Sequence, residues 1–117
     1  MRHGKAGKRL GRNDDHRRAM LRNLATSFFT YGKIETTVTR AKELSRVASR
    51  LITRAKKGDL QSRRMVAAYL TSPEVAKKVV DVIAPSLSAR SGGYTRIVRT
   101  RIRQGDAAEM AQIELMQ

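Results

Sequence analysis

Residues 33–58 read KIETTVTRAKELSRVASRLITRAKKG, and two hydrophobic periods meet within this stretch. The first five residues show the alternation of β-branched side chains that is typical of a short strand. From Thr37 or Thr39 to about Lys57, apolar residues recur every three or four positions, which predicts a helix with one buried face. Its apolar stripe comprises Ala41, Leu44, Val47, Ala48, Leu51, Ile52 and Ala55. Gly58 is expected to end this helix, because glycine adopts the closing backbone conformation at little cost.

Another helix is expected on the N-terminal side of this stretch. Asn13 or Asp14 fits the N-cap position, and Gly32 fits the residue that follows the last turn. The apolar positions with helical spacing are Met20, Leu21, Leu24, Ala25 and Phe28. Asp14 and Asp15 occupy the first turn, where the helix dipole favours acidic side chains, so we predict a capping role for them.

Two shorter helices are expected on the C-terminal side. Asp59 can cap a third helix that runs through about Leu70. Residues 72–74, Ser-Pro-Glu, begin a fourth helix with a cap, a proline in the first turn and an acid. Its predicted buried side comprises Val75, Ala76, Val79, Val80 and Ile83. We expect Pro85 to end this helix, because proline lacks the amide hydrogen that would continue it.

The last third of the chain is predicted to form a β-hairpin. Residues 86–93 form a loop with a tight turn at its two glycines, and two strands follow at 94–103 and 109–116. Together with the strand at 33–37, they predict an α+β fold. About four α-helices would pack with a small, mostly antiparallel three-stranded sheet, in a single domain over residues 14–117.

The charge balance of the chain limits what it can do. The chain has 117 residues and a mass of 13.1 kDa, and 25 Lys plus Arg against 10 Asp plus Glu leave a formal charge of +15. A protein this basic is attracted to polyanions. It has no cysteine, which excludes disulfides, thiolate metal clusters and cysteine nucleophiles. It also has no apolar run approaching the roughly 18 residues of a membrane span, so we expect neither insertion nor export.

Residues 1–13 differ in composition from the rest of the chain. They contain Arg2, Lys5, Lys8, Arg9 and Arg12, together with three glycines and no acid. Such a segment cannot bury enough apolar surface to offset the entropy lost on ordering. We therefore expect a basic extended N-terminal arm that folds onto a partner.

The type of basic residue indicates nucleic acid as that partner. Arginine outnumbers lysine by 17 to 8, and its planar guanidinium binds phosphate oxygens in pairs and stacks on bases. Basic residues concentrate in the arm, in the first helix and in the strand at 96–103. A helix-turn-helix mode is not favoured, because a recognition helix from Pro73 would present Glu74 and Asp81 beside only two lysines.

Folded RNA fits this pattern better than a single strand does. Proteins that read single strands alternate aromatic platforms with basic grooves, but this chain has only five aromatic residues and none in the arm. A glycine-spaced arm and an arginine-rich strand suit a deeply grooved RNA held by its phosphates and shape. Catalysis lacks support, because His3 and His16 accompany no nucleophile motif and no phosphate-binding loop.

Short strings spread along the chain match a known family pattern. They are MRHGK at 1–5, KRLGR at 8–12, HRRAM at 16–20, RNL at 22–24, IETTVTRAKEL at 34–44, GGYTRI at 92–97, GD at 105–106, MA at 110–111 and EL at 114–115. In this order and spacing they resemble the bacterial large-subunit ribosomal protein L-seventeen family. The match is weakest over 58–90, and Lys33, Arg101 and the pair Asp14-Asp15 depart from the family pattern.

The resemblance implies a structural constituent of the large ribosomal subunit that binds and stabilises large-subunit ribosomal RNA near the exit side of the peptide tunnel. It implies a cytoplasmic location, neighbouring large-subunit proteins as further partners, and no catalysis, cofactor, metal, small-molecule substrate or membrane contact. The implied RNA contacts are Arg2, His3, Lys5, Lys8, Arg9, Arg12, His16, Arg17, Arg18 and Arg22. A second implied patch comprises Arg90, Arg96, Arg99, Arg101 and Arg103.

Three other functions stay open on the sequence alone. A nucleoid-type DNA protein would prefer duplex DNA over folded ribosomal RNA in direct competition. A basic enzyme that acts on RNA would lose turnover, but not binding, when His16 is replaced. A polycation at a membrane surface would need a helix that is apolar on one side and basic on the other, which the first helix matches only loosely.

Overall fold

The computed structural model describes residues 13–116, and their architecture is the predicted α+β fold. The elements are α1 Asp14–Tyr31, β1 Lys33–Thr37, α2 Val38–Lys56, α3 Leu60–Tyr69, α4 Pro73–Lys78, a π-helical segment Val79–Ile83, α5 Ala84–Ser86, β2 Thr95–Ile102 and β3 Glu109–Leu115. Because α4, the π segment and α5 follow one another without a break, they form one helical body, and the helical bodies number four in the described part of the chain. The predicted arm lies outside the described residues except for Asn13.

Polar side chains begin the four helical bodies as the sequence predicts. Asn13 Oδ1 accepts a hydrogen bond from the backbone N–H of His16 at 2.8 Å, so the last residue of the predicted arm is the cap of α1. Thr37, Asp59 and Ser72 accept equivalent bonds at the starts of α2, α3 and α4. Each cap satisfies an amide that has no partner within its own helix.

Gly32 ends α1 because the chain turns there through a left-handed conformation. Its φ is 80°, and its N–H donates to the carbonyl of Phe28 at 2.7 Å. Residues with a Cβ rarely adopt this conformation, so glycine is favoured at this position. The turn allows β1 to begin at Lys33, directly after the helix.

Helix α2 lies at the centre of the molecule. It packs against α1, α3, the π segment and the sheet. The predicted stripe is confirmed, since Ala41, Leu44, Ala48 and Ile52 are fully buried, although Val47 is only partly buried. Burial of aliphatic side chains stabilises such a fold by about 1.5–3 kcal/mol for each large residue.

The three strands form one antiparallel sheet in the order β1-β3-β2. Ile34 pairs with Ile113, and Ile113 pairs with Ile97, so three isoleucines cross the sheet on the face that covers the core. A bulge interrupts the β2–β3 register between Arg99 and Arg101. This hairpin is the one predicted from the sequence, with β2 one residue shorter than predicted at each end and β3 ending one residue earlier.

The prediction that Pro85 ends the fourth helix is wrong by one residue, because α5 continues through Ser86. The N–H of Ala84 bonds to the carbonyl of Val79, five residues earlier, which is the π pattern. In a regular α-helix a proline ring collides with the carbonyl four residues before it. The wider π turn before Pro85 moves that carbonyl away, and the helical body accommodates the proline in its last turn.

Candidate nucleic-acid interface

A groove of about 400 Å³ runs between α1 and α2. Its rim consists of arginines from both helices, the exposed Arg18, Arg46 and Arg50 and the half-buried Arg17. Its floor is formed by the less exposed side chains of Leu21, Val47, Leu51 and Tyr69. One carboxylate, that of Glu43, also lines the groove and is 8% exposed. The groove therefore combines a cationic rim with an apolar floor.

The helical repeat places three of the four arginines of α2 on one side. Arg46, Arg50 and Arg54 follow one another at intervals of four residues, so they lie one above the other along the helix. The stripe that begins at Ala41 faces the core, so Arg46 and Arg50 are exposed, while Arg54 is half-buried and its Nη1 bonds to Met65 Sδ at 2.9 Å. We call Arg46, Arg50 and Arg54 the α2 row.

Two of the rim arginines have their donors available. Within residues 13–116, neither Arg18 nor Arg50 has a hydrogen-bond or ion-pair partner, although Arg50 acts on Tyr69 through its charge. A guanidinium without an internal partner keeps five N–H donors for an outside anion. Arg46 lies 3.9 Å from Glu43, and Arg17 lies 3.6 Å from Asp14, so these two are partly neutralised.

Tyr69 of α3 is half-buried at the edge of the groove. Burial raises the pKa of its hydroxyl, and the positive charges of Arg22 and Arg50 act in the opposite direction. The hydroxyl is therefore neutral at physiological pH, and the ring presents an uncharged surface beside the arginines.

Arg22 is one of the predicted RNA contacts, and in the structure its side chain also makes a contact within the protein. Its Nε donates to the carbonyl oxygen of Tyr69 at 2.6 Å, and its Nη2 donates to that of Ala68 at 3.2 Å. These carbonyls belong to the last turn of α3, where no further helical amide can reach them. Arg22 thus ties α1 to the end of α3.

The four predicted arginines of the hairpin all pair with acids of the sheet and its loop. Arg99 bonds to Glu109 at 3.0 Å, Arg101 bonds to Glu35 at 3.1 Å, and Arg103 bonds to Asp106 at 2.6 Å. Arg96 pairs with Glu114 on the neighbouring strand. We call these four residues, Arg96, Arg99, Arg101 and Arg103, the hairpin arginines. Each remains exposed, but its charge is matched within the molecule.

Two of these carboxylates, those of Glu35 and Asp106, titrate below their usual range. The pKa of Glu35 is lowered by hydrogen bonds from the Thr100 hydroxyl and from Arg101. The pKa of Asp106 falls to about 2, because Arg103 and the backbone N–H of Ala108 donate to its oxygens. Both acids are therefore ionised at neutral pH and offset the positive charge of the hairpin.

His16 and Arg90 are the other described residues that were predicted to contact RNA. His16 is exposed in the first turn of α1, away from the groove lining. Arg90 lies in the loop before β2, where its Nη1 approaches the carbonyl of Gly93 at 3.5 Å and its own carbonyl accepts a bond from Lys56. The predicted contacts of the arm lie outside the described residues: Arg2, His3, Lys5, Lys8, Arg9 and Arg12.

Sequence reasoning missed the α2 row as a candidate site. The signal was present in the stretch at 33–58, because arginines four residues apart on a helix with a buried stripe form an exposed basic line. A second basic area was also missed. Arg40 and Lys42, at the start of α2, line an open cleft of about 650 Å³ together with Arg99 and Arg103 of the hairpin.

No group of three or more His, Cys, Asp or Glu side chains within 13–116 is placed to hold a metal ion. In the same part of the chain, no helix has the length and apolar character needed to cross a membrane.

Comparison with known proteins gives a consistent result along the chain. The model of a family described as ribosomal protein L17 matches residues 20–116. The large ribosomal subunit protein bL17 of Clostridium acetobutylicum is 55% identical over 109 residues, which covers 93% of this chain and 96% of the relative. The protein of the same name from Fusobacterium nucleatum is 53% identical over 116 residues, with 99% and 100% covered. That of Campylobacter fetus is 50% identical over 116 residues, with 99% and 98% covered.

Proposed function

The chain belongs to the ribosomal protein L17 family, and from this membership we propose that it binds and stabilises large-subunit ribosomal RNA near the exit side of the peptide tunnel. The observation that carries the RNA-binding part is the groove between α1 and α2, whose rim includes Arg18 and Arg50 without internal partners in the described chain. The location at the tunnel exit rests on the family resemblance alone.

The proposed mechanism is architectural. Arginines bind phosphate oxygens and release the counterions condensed on the RNA, so affinity falls steeply as salt increases. The groove side of the protein holds the RNA through phosphates and shape, and neighbouring large-subunit proteins contact other surfaces. In this role the protein acts in the cytoplasm, turns over no substrate and needs no cofactor.

The proposal extends to the predicted arm without its last residue, Asn13, which caps α1: residues 1–12 are a basic arm that orders on RNA, attached to a domain that folds without it. Deletion of residues 1–12 tests this directly and leaves Asn13 to cap α1. We expect the truncated chain to keep its helical circular dichroism and its thermal midpoint, but to enter large subunits less efficiently. Unchanged incorporation would contradict the role given to the arm.

The function itself is tested with the purified full chain and purified large-subunit ribosomal RNA. Binding is measured between 50 and 300 mM salt, with duplex DNA of equal phosphate concentration as competitor. We expect a plot of log affinity against log salt with a slope of about −4 or steeper, at roughly 0.7–0.9 per phosphate contact, and a clear preference for the ribosomal RNA. Equal or stronger binding to duplex DNA would reject the proposal and favour a nucleoid-type protein.

A further inference from the structure

The groove between α1 and α2 has features that a simple phosphate patch does not need. Phosphates are held by exposed cations on any surface, whereas here partly exposed apolar side chains lie beneath the rim. Leu21 and Val47 are only partly buried, and the half-buried Tyr69 also lines the groove. A phosphate on the rim would leave this floor in contact with water.

The size and charge of the groove fit a nucleotide. Its volume of about 400 Å³ lies within the roughly 300–1,000 Å³ that small-molecule sites occupy. The rim supplies guanidinium donors for phosphate, and the less exposed Glu43, which pairs with Arg46, places a carboxylate beneath them. A base amino group or a ribose 2′-hydroxyl can donate to such a carboxylate, while a bare phosphate cannot.

We propose that this groove takes one unstacked nucleotide of RNA, with its base on Leu21, Val47 and Leu51 beside Tyr69 and its phosphates against Arg18 and Arg50. The proposal rests on the RNA-binding function given above and adds a single base contact to it. An acidic peptide fits less well, because the carboxylate of Glu43 would repel an acidic side chain on the floor. The small number of aromatic residues is consistent with one such contact in an otherwise phosphate-directed interface.

The direct test is ultraviolet crosslinking of the full chain bound to purified large-subunit ribosomal RNA, followed by peptide mapping. We expect a crosslinked nucleotide on Tyr69 or within residues 46–51. Crosslinks elsewhere in the chain, with none at these positions, would overturn the base contact while leaving RNA binding intact.

A matched pair of variants tests the same contact by affinity. Tyr69→Ala removes the ring from the groove, and we expect about tenfold weaker binding to the ribosomal RNA. Tyr31→Ala makes the same change at a side chain that is 74% exposed and outside the groove, and it should change affinity less than twofold. Equal effects of the two substitutions would overturn the proposal.

A second pair of variants is used if Tyr69→Ala destabilises the fold and thereby lowers the thermal midpoint. Val47→Ala removes apolar surface from the floor of the groove and leaves the rim arginines in place, so it should weaken RNA binding about threefold. Val82→Ala makes the same change at a residue that is 58% exposed on the π segment, and it should be neutral. A neutral Val47→Ala would overturn the proposal and favour another occupant, such as residues 1–12 of this chain or an acidic peptide.

These outcomes separate the base contact from the proposed function. If the wild-type chain binds ribosomal RNA in preference to duplex DNA but is insensitive at Tyr69 and Val47, only the base contact fails. If the wild-type chain shows no such preference, the RNA-binding function itself is rejected. The binding of the variants to duplex DNA is then measured instead.

Discussion

The hairpin and the groove carry similar numbers of arginines, but their guanidinium groups have different partners. On the hairpin, each of four arginines meets a carboxylate of the same molecule. In the groove, Arg18 and Arg50 pair with no carboxylate within residues 13–116. The reason is geometric. Glu109 and Glu114 lie on β3, which pairs directly with β2, while Arg101 meets Glu35 of β1 on the far side of β3 and Arg103 meets Asp106 in the loop. The groove arginines instead lie on helix faces with few acids.

This difference shows that a count of basic residues along a segment does not measure its capacity to bind an anion. An exposed pair contributes only about 0–1 kcal/mol to folding, so RNA phosphates can compete for a hairpin arginine. The phosphates must, however, approach against the negative charge of the carboxylate that pairs with that arginine. We therefore expect the groove to contribute more to RNA affinity than the hairpin does.

The largest expected effect comes from the groove. Replacement of Arg18 and Arg50 by glutamine removes two guanidinium groups that have no partner within residues 13–116, and affinity for large-subunit ribosomal RNA should fall about thirtyfold, from about 1 kcal/mol per lost contact. The plot of log affinity against log salt should also become shallower by about two units. Fluorescence anisotropy over a salt series measures both quantities.

The matched control is the double replacement of Arg96 and Arg101 by glutamine, which removes the same charge from the hairpin. It should weaken binding threefold or less, since both side chains already have carboxylate partners. A larger loss of RNA affinity from the Arg96/Arg101 replacement than from the Arg18/Arg50 replacement would contradict the expectation that the groove contributes more than the hairpin.

The second effect concerns stability rather than binding. Arg22→Gln should lower the free energy of unfolding by about 1.5 kcal/mol, because the carbonyls of Ala68 and Tyr69 lose a charged donor. Arg18→Gln, four residues earlier on α1, should change it by less than about 0.5 kcal/mol. Urea unfolding followed by circular dichroism measures both, and equal values for the two variants would refute the structural role of Arg22.

A smaller effect, of opposite sign, is expected when a hairpin carboxylate is neutralised. Glu35→Gln leaves Arg101 without its acid and removes one negative charge, so ribosomal RNA should bind two- to threefold more tightly. Glu74→Gln makes the same charge change on α4, away from the hairpin arginines, and serves as the control. Unchanged or weaker binding after Glu35→Gln would mean that Arg101 does not face the RNA.

The smallest expected effect is the pH dependence of stability that comes from Asp106 in the hairpin loop. The carboxyl of Asp106 has a pKa of about 2 in the folded protein, below its ordinary value of 3.8, because it is bonded to Arg103. Since the folded pKa is depressed, the stability gained from this pair is present above pH 3.8 and is lost as the pH falls toward 2.

Carbon-detected NMR of the Asp106 carboxyl should show this low midpoint, and Arg103→Gln should move it upward. A midpoint near 3.8 in the unmodified chain would show that the pair does not form in solution.

Local sequence signals were sufficient for most of the fold. Caps such as Asp59, the left-handed turn at Gly32 and the apolar stripe of α2 depend on neighbours within four residues, and the structure confirms them. The predicted helix end at Pro85 was wrong because the rule for proline assumes a regular α-helix, whereas a π turn precedes Pro85 here. A rule based on one residue type does not include that change of helical geometry.

The candidate site was less predictable than the fold. The positions of arginines are visible in the sequence, but their partners are set by strand register and helix packing, which bring together residues such as Arg101 and Glu35 across 66 positions. The α2 row could have been predicted from its spacing of four residues alone. The bond from Arg22 to the end of α3 required the tertiary structure, because no local pattern joins residues 22 and 69.

The most direct test of the account is sedimentation of cell lysates that contain tagged chains, at moderate and then high salt. The central claim is that the chain is a large-subunit protein held on RNA mainly through the α1–α2 groove. It predicts that the wild type and the Arg96/Arg101 variant travel with large subunits at moderate salt, while the Arg18/Arg50 variant moves into the free pool. If the groove variant stays with subunits and the hairpin variant leaves them, the claim is contradicted.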